Sequence, residues 1–437
     1  MKGHEQGKAG RTAARLWVNS QISRGRSVWR GRVSNAWRWT LLDQALSSFS
    51  NFLFVVNVAR SVTAATFGAF SLAYLFYGLL LGAGRAVGGE LLLLRAAENP
   101  HRVEEESRRL LGLALVAGLV VAPLLLVAAA AVRGPASGCL LALAVALPVL
   151  LAQDALRYCY FARGSPAGAA GNDAVWLAVQ IAAFAILSSV APRPGAPAFT
   201  AVWGAGAAAA LCVGIWHTGT VPVLSGMRRW MAEDLKRVSS FLADFILMTG
   251  SIYISIYVVA LVGSTEDVAA LRGGLLLYSP VDTVVAGVRI LALPVLARSL
   301  ATGRQALRIA ARRLMLVYLL VAGGWSILVI ALPDRVGKAL LGKTWVIAGP
   351  LLPLLAVACA GRYAVFPALD GIRAHGGGRQ LVSVRVLTTA LTFSSVVIGT
   401  AVDGSLGAAG GLAAAYIFEA GLWWQSFGRR NRGGTGK

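Results

Sequence analysis

The sequence predicts an all-α integral membrane protein, with twelve transmembrane helices in two pseudo-symmetric six-helix lobes around a central cavity. Three observations lead to this prediction. The 437-residue chain is 57% hydrophobic and only 14% charged, with a mean hydropathy of +0.67, whereas soluble domains are about 25% charged. Twelve apolar stretches are long enough to cross a bilayer, which takes about 20 helical residues. Charged residues also recur at similar places in the two halves of the chain.

The apolar stretches are separated by short loops of unequal charge. The predicted spans 1 to 12 cover residues 41–60, 68–94, 110–132, 138–162, 171–191, 197–217, 240–263, 273–297, 314–333, 346–370, 380–400 and 405–425. With the N-terminus placed inside, 30 Lys and Arg residues fall in inner segments, 7 in outer loops (Arg272 among them) and four within spans. Because inner loops are enriched in basic residues, both termini are predicted to be cytoplasmic. This topology and attraction to anionic membrane lipid account for the net charge of +22, so no nucleic-acid partner is expected.

The predicted domain organisation follows from the positions of the spans. The first 39 residues lack the apolar core of a signal peptide. Their helically spaced apolar side chains among arginines suit either an amphipathic segment on the inner leaflet or a disordered basic tail. The predicted units are a basic cytoplasmic or interfacial segment 1–39, an N-lobe 40–217, a cytoplasmic linker 218–239, a C-lobe 240–426 and a basic cytoplasmic tail 427–437.

Three sets of charged residues recur in the same order in both halves, which indicates an internal repeat. They are Asp43 and Asp244, Arg85 and Arg289, and Asp154-x-x-Arg157 and Asp370-x-x-Arg373, at offsets of 201, 204 and 216 residues. Because each half has six spans, both halves keep the same orientation, and the pseudo-twofold axis should run along the membrane normal. The two Asp/Arg pairs at i,i+3 are expected to be structural ion pairs.

Polar side chains share single helix faces on spans 1, 2 and 7, which predicts a common polar cavity. The candidate cavity-lining residues are Asp43, Ser47, Ser50, Asn51 and Asn57 on span 1, Tyr74 on span 2, and Ser251 and Ser255 on span 7. For Asp43 a local explanation stays open, since Thr40-x-x-Asp43 matches a helix-capping pattern.

Charged residues deep inside spans are the candidate binding residues. An arginine at the centre of a membrane helix costs about 2.5–3.5 kcal/mol on insertion scales. Each such arginine could pair with an acidic side chain on another helix, or could receive an anion in the cavity. The candidates for an anion are Arg85, Arg289, Arg362 and, at the outer end of span 1, Arg60. Asp282, deep in span 8, is the first candidate for a coupling cation or proton, and Asp244 is the second.

The sequence offers no residue set for catalysis, a metal or a cofactor. Its four cysteines and four histidines have no metal-ligand spacing. Residues Gly337–Thr344 match the phosphate-loop pattern G-x-x-x-x-G-K-T, but that motif requires a preceding strand and a following helix, and here it falls in a predicted outer loop. We therefore expect no metal site, no cofactor and no enzymatic activity.

Several stretches, in order, resemble a known family of exporters. Span 1 opens with Asp43-Gln44 and closes with Ala59-Arg60, and span 2 opens with Phe67-Gly68. The segments LLAQDALRYCYFARGSPAGAAGNDAVW (150–176) and LLGKTWVIAGPLLPLLAVA (340–358) extend the likeness. The chain resembles the bacterial O-antigen-type (Wzx-like) polysaccharide flippases of the multidrug/oligosaccharidyl-lipid/polysaccharide (MOP) superfamily. The resemblance implies two lobes in a V, a cavity lined by spans 1, 2, 7 and 8, alternating access, and a place in the bacterial cytoplasmic membrane.

The resemblance and the predicted cavity together predict a flippase that moves a polyprenyl-diphosphate-linked oligosaccharide from the inner to the outer leaflet. The arginines would receive the diphosphate through bidentate hydrogen bonds, and the serines and asparagines would bind sugar hydroxyls. Membrane lipid, a coupling proton or Na⁺, and polysaccharide-assembly proteins are the other expected partners. Two alternatives stay open. A cation-coupled multidrug antiporter would need a negative or aromatic cavity, and a multispan glycan-assembly enzyme would need large outer loops.

Overall fold

The structure, a computed structural model, describes residues 38–191, 194–374 and 378–432, and these form helices joined by short connections. Almost all of the predicted basic N-terminal segment and the end of the predicted C-terminal tail lie outside the described residues.

In the described part of the chain, twelve long helices, α1 to α12, correspond in order to the twelve predicted spans. Their bounds are α1 Arg38–Ser61, α2 Ala64–Glu98, α3 Val103–Ala131, α4 Pro135–Ala162, α5 Pro166–Val190, α6 Ala196–Thr218, α7 Leu235–Phe245 continued by Ile246–Gly250 and Ser251–Val262, α8 Thr265–Thr302, α9 Arg304–Ile330, α10 Leu352–Ala374, α11 378–402 and α12 405–432. Length and composition alone identify ten membrane-crossing segments among the described residues. The difference arises because α11 and α12, separated only by the non-helical residues Asp403 and Gly404, count as one segment, and because only Ile252–Val262 of α7 is identified, as a shorter apolar helix.

Helix α8 begins earlier than its apolar stretch suggested. Ser264 and Asp267 form a reciprocal cap, in which Asp267 N donates to Ser264 Oγ at 3.1 Å and Ser264 N donates to Asp267 Oδ2 at 2.9 Å. Such a capping box satisfies backbone donors that the first turn leaves open. The helix therefore starts at Thr265, and Arg272 lies within it rather than in the outer loop to which its charge was assigned.

Helices α1–α6 and α7–α12 form two lobes with repeated packing, so the predicted fold class is confirmed. In the first lobe α4 packs on α3 and α6, and in the second α10 packs on α9 and on the α11–α12 hairpin. Aromatic side chains fill the N-lobe core, where Phe54 stacks on Trp203 with ring centres 4.6 Å apart. The chain enters α1 and leaves α12 at the same end of the bundle, called here the terminal end, and the opposite end is called the distal end.

The two lobes touch closely at the distal end. A Cβ atom on Gly68, near the start of α2, would lie 1.9 Å from the carbonyl oxygen of Thr265 at the start of α8. A Cβ on Gly342 would lie 2.7 Å from the carbonyl oxygen of Arg60. Glycine lets the backbones approach this far, so the distal end is closed by direct contact between the lobes.

Candidate functional site: a basic cavity between the lobes

A cavity of about 480 Å³ lies between the lobes, on the terminal side of the distal contact. Helices α2, α7 and α8 provide most of its wall. They correspond to three of the four spans that were predicted to line the cavity, namely spans 2, 7 and 8. Its charged lining residues are Arg85, Glu90, Asp244, Arg272, Arg289 and Arg373, and its aromatic ones are Tyr74, Tyr77, Tyr158, Phe241, Phe245 and Tyr253. Asp244, near the terminal end, has 65% of its side chain exposed, so the cavity opens toward the terminal end.

The two predicted arginines of the repeat both line this cavity, and both have an acidic partner within their own lobe. Arg85 donates through Nε and Nη2 to the two carboxylate oxygens of Asp154 on α4, at 2.9 and 2.5 Å. Arg289 makes the same contact with Asp370 on α10, at 3.3 and 3.1 Å, and stands 4.0 Å above the centre of the Phe366 ring. The acidic-partner alternative therefore holds for both arginines. Each side chain stays partly open to the cavity, with 36% and 25% of its surface exposed.

A second ion pair ties α1 to α4 inside the N-lobe. Arg157 Nε donates to Asp43 Oδ2 at 2.8 Å, and Asp173 Oδ2 lies 3.6 Å from the same nitrogen. The expected pair between Asp154 and Arg157 is not the one that forms, because each side chain is taken by another helix. Asp43 is fully buried in this cluster, so it does not line the cavity as predicted.

The C-lobe contains a looser version of the same cluster. Arg373 lies 3.9 Å from Asp244 on α7 and 3.6 Å from Asp370. Here the expected i,i+3 pair, Asp370 with Arg373, is present. Because Asp244 is exposed where its N-lobe counterpart is buried, only the C-lobe presents this carboxylate to the cavity.

Most of the predicted polar stripe serves packing within the lobes. Three further members are too deeply buried to meet a ligand in this conformation, namely Ser50, Asn57 and Ser255. Ser50 donates to Gln180 on α5 at 2.7 Å, and the side chain of Asn51 donates to the carbonyl oxygen of Ser47 one turn earlier at 2.9 Å. Of the predicted polar set, Tyr74 lines the cavity, Ser47 and Asn51 are half-buried on α1, and the side chain of Ser251 lies outside the description. Polar groups on membrane helices need a partner, and neighbouring helices supply it here.

Arg362 and Asp282 occupy each other. Arg362 Nη1 lies 3.1 Å from Asp282 Oδ1, and the Tyr363 hydroxyl donates to the same oxygen at 2.8 Å. None of the three is among the residues that line the cavity. Arg60, the fourth predicted anion ligand, lies at the distal end beyond the closed contact.

Arg272 is the cavity residue that the sequence reasoning missed. It lies on α8, 17 residues before Arg289, which corresponds to about 25 Å along the helix toward the distal end. In the described structure no carboxylate lies within 4.0 Å of its guanidinium, and its buried Nε has no hydrogen-bond partner. Its guanidinium interacts electrostatically with Tyr74 and Tyr253, which also line the cavity. The capping box at Ser264 was the sequence signal that could have placed Arg272 inside the helix.

Comparisons with known proteins identify the fold. No family model matches the chain, and no curated protein does. Among solved structures, an inward-facing multidrug resistance MATE family transporter of the MOP superfamily is 13% identical, with a TM-score of 0.67 over 89% of this chain and 94% of that one. The chain has the fold of the MATE transporters.

Two other solved structures with this fold extend the comparison. An outward-facing multidrug resistance MATE family transporter is 11% identical, with a TM-score of 0.60 over 92% of this chain and 95% of that one. A MOP superfamily transporter from Pyrococcus furiosus is 12% identical, with a TM-score of 0.63 over 92% and 95%, and its reversed pocket polarity is described as suggesting a different function. The MATE fold accounts for the arrangement of the twelve helices as two lobes of six.

Proposed function

We propose that this protein is an alternating-access transporter that moves a polyprenyl-diphosphate-linked oligosaccharide from the cytoplasmic to the outer leaflet. One observation supports the anionic cargo above the others. Arg272 lines the cavity near its distal end without a carboxylate within reach among the described residues. An unpaired guanidinium inside a membrane protein is costly, and a diphosphate would offset that cost through charge-assisted hydrogen bonds.

The other charged residues of the cavity lining also favour an anionic cargo. Four arginines face two carboxylates in the cavity wall. Arg85 and Arg289 bond their aspartates through the Nε and Nη2 edge, which leaves the Nη1 group of each guanidinium for a ligand. A cargo phosphate would thus meet paired arginines partway into the cavity and the unpaired Arg272 at its distal end.

The geometry of the two ends supports alternating access. The distal end is closed by the Gly68 contact, while the cavity opens toward the terminal end. The charge bias of the loops favours a cytoplasmic position for the terminal end. The higher of the two TM-scores, 0.67 against 0.60, belongs to the inward-facing transporter. Cargo would therefore enter from the cytoplasmic side in this state and leave after the lobes rock.

A cation-coupled multidrug antiporter is the second candidate function. The solved structures of this fold include multidrug resistance transporters. Glu90 and the exposed Asp244 lie among the aromatic rings of Phe241 and Phe245 near the cavity mouth, and carboxylates beside aromatic rings suit organic cations.

Transport by the purified protein in proteoliposomes separates the two functions. The assay would follow a fluorescent polyprenyl-diphosphate oligosaccharide and, in parallel, a cationic dye. We expect transport of the lipid-linked sugar, a loss of about tenfold or more in Arg272→Ala, and partial retention in Arg272→Lys. The control is Arg133→Ala, on an exposed loop outside the cavity. Dye transport without sugar transport, or full sugar transport by Arg272→Ala, would contradict the proposal.

A further inference from the structure

The two lobes differ in charge at their terminal ends, although their helices repeat. The connection from α2 to α3, residues 95–109, contains four arginines and four glutamates. Its counterpart from α8 to α9, residues 298–313, contains five arginines and no acidic residue. A topological preference for inner basic residues acts on both lobes equally, so it does not account for this difference.

Two arginines of the N-lobe connection are neutralised by neighbouring carboxylates. Arg95 bonds Asp234 at 2.9 Å and Glu106 at 3.2 Å, and Arg109 bonds Glu105 at 2.6 Å. Glu104, Glu105 and Glu106 occupy the first turn of α3, where negative charge is favoured by the helix dipole. Arg95 and Arg109, two of the four arginines of this connection, therefore have acidic partners, and the four glutamates balance the formal charge of the connection.

The C-lobe carries exposed or half-exposed arginines without such partners. The C-lobe basic surface is defined here as Arg304, Arg308, Arg312 and Arg313 on α9 with Arg429 on α12. The two helices are joined at this place, because Asn431 on α12 donates to the carbonyl oxygen of Arg304 at 3.0 Å and Phe427 packs in one cluster with Leu307. Within the described ranges, none of the five arginines has a carboxylate within 4.0 Å.

The depth of this surface matches the phosphate level of a bilayer. Arg313 is 17 residues from the distal end of α9 at Ile330, or about 26 Å, close to the ~30 Å thickness of the hydrocarbon core. Leu316 and Leu320, three and seven residues on, share its helix face and are 57% and 65% exposed. Arg313 therefore stands directly above a lipid-facing surface, and Arg308 and Arg304 follow further toward the terminal end.

We propose that the C-lobe basic surface binds the phosphate groups of anionic phospholipids in the leaflet at the terminal end. Arginines at the boundary of a lipid-facing helix, with no protein anion to neutralise them, fit a layer of headgroup phosphates. This lipid binding is independent of the cargo, because the surface lies on the outside of the C-lobe and contributes no residue to the cavity.

The test measures which lipids stay bound to the full-length protein after reconstitution in equal parts of phosphatidylglycerol and phosphatidylcholine. We expect native mass spectrometry to show enrichment of phosphatidylglycerol. The triple variant Arg308→Gln/Arg312→Gln/Arg313→Gln should lower this enrichment about tenfold or more, because each basic side chain near an anionic surface contributes appreciably to binding. The matched control, Arg102→Gln/Arg108→Gln/Arg109→Gln, removes the same charge from the equivalent N-lobe connection and should change enrichment less than about twofold.

Two further measurements keep the test decisive if the triple variant folds poorly. The enrichment in the unaltered protein should fall as salt is raised, since exposed charges are screened. The variant Arg308→Lys/Arg312→Lys/Arg313→Lys should retain it. Absence of enrichment in the unaltered protein, as expected if the surface instead docks an acidic protein, would overturn the proposal. Equal losses in the C-lobe and N-lobe triple variants, or salt-independent enrichment, would also overturn it.

Discussion

Arg289 and Asp370 form a two-point ion pair between a cavity helix and the helix behind it, within one lobe. The pair of Arg85 with Asp154 repeats this contact in the other lobe. Neither pair crosses between the lobes. Each lobe could therefore move as a rigid body while its own arginine stays neutralised, as the proposed rocking between two states would require.

Breaking one of these pairs should destabilise the protein. Asp154→Ala leaves the Arg85 guanidinium without its partner, and we expect a loss of about 2–3 kcal/mol in unfolding free energy, below the ~3–5 of fully buried pairs because Arg85 faces the cavity. Thermal unfolding in detergent measures the change. The double variant Arg85→Leu/Asp154→Leu should be less destabilised than Asp154→Ala. Equal losses of unfolding free energy in the single and double variants would indicate that the change in side-chain volume, and not the unpaired charge, causes the destabilisation.

Enlarging Gly68 should open the distal end. In Gly68→Leu the side chain would collide with the carbonyl oxygen of Thr265, 1.9 Å from its Cβ, so the closed distal contact should be strongly disfavoured. Spin labels at Arg133→Cys and Arg335→Cys, in a Cys212→Ser background, should report a longer distance across the distal end. Gly171→Leu serves as the control because nothing lies within 4 Å of its Cβ. An unchanged distance distribution in Gly68→Leu would show that this contact does not close the distal end.

Trp230 should anchor the linker between the lobes. Its side chain is 1% exposed and donates to Glu106 at 2.8 Å, while Arg95 donates to its carbonyl oxygen at 3.0 Å. Replacement by alanine should cost about 3–5 kcal/mol, as for other large buried side chains, and should make the linker sensitive to limited proteolysis. Trp216→Ala, at a position that is 85% exposed, should leave both measurements unchanged. A stable and protease-resistant Trp230→Ala protein would contradict the proposal that Trp230 anchors the linker.

The coupling of the proposed transport to an ion gradient should depend on Asp244 more than on Asp282. Asp244 is exposed in the cavity with its nearest arginine nitrogen at 3.9 Å, whereas Asp282 is held by Arg362 at 3.1 Å and Tyr363 at 2.8 Å. We expect Asp244→Asn to remove the dependence of transport on a proton or Na⁺ gradient, and Asp282→Asn to retain it. The measurement is cargo uptake in proteoliposomes with and without each gradient. The reverse pattern would return the coupling role to Asp282.

The predictions that held were those that depend on local sequence. Twelve helices and two repeated lobes follow from apolar length and from charges spaced alike in both halves. The bounds shifted where a local signal was overlooked: the cap at Ser264 starts α8 before its apolar stretch and brings Arg272 into the membrane-spanning helix. An unpaired cavity arginine was thereby counted as an outer-loop charge.

The identity of each charge's partner was decided by packing between distant parts of the chain. Asp154 and Arg157 are neighbours on one helix, yet each is bound by a different helix, 69 and 114 residues away in sequence. A helix face shows only that a polar group needs a partner. Whether a neighbouring helix, a cavity or a ligand meets that need depends on how α1, α2, α4, α7 and α8 come together. The sequence alone was therefore sufficient for the membrane-spanning architecture and its repeat, because these rest on apolar length and charge order. Only the tertiary structure could distinguish the paired arginines from Arg272, because pairing is a property of contacts between helices.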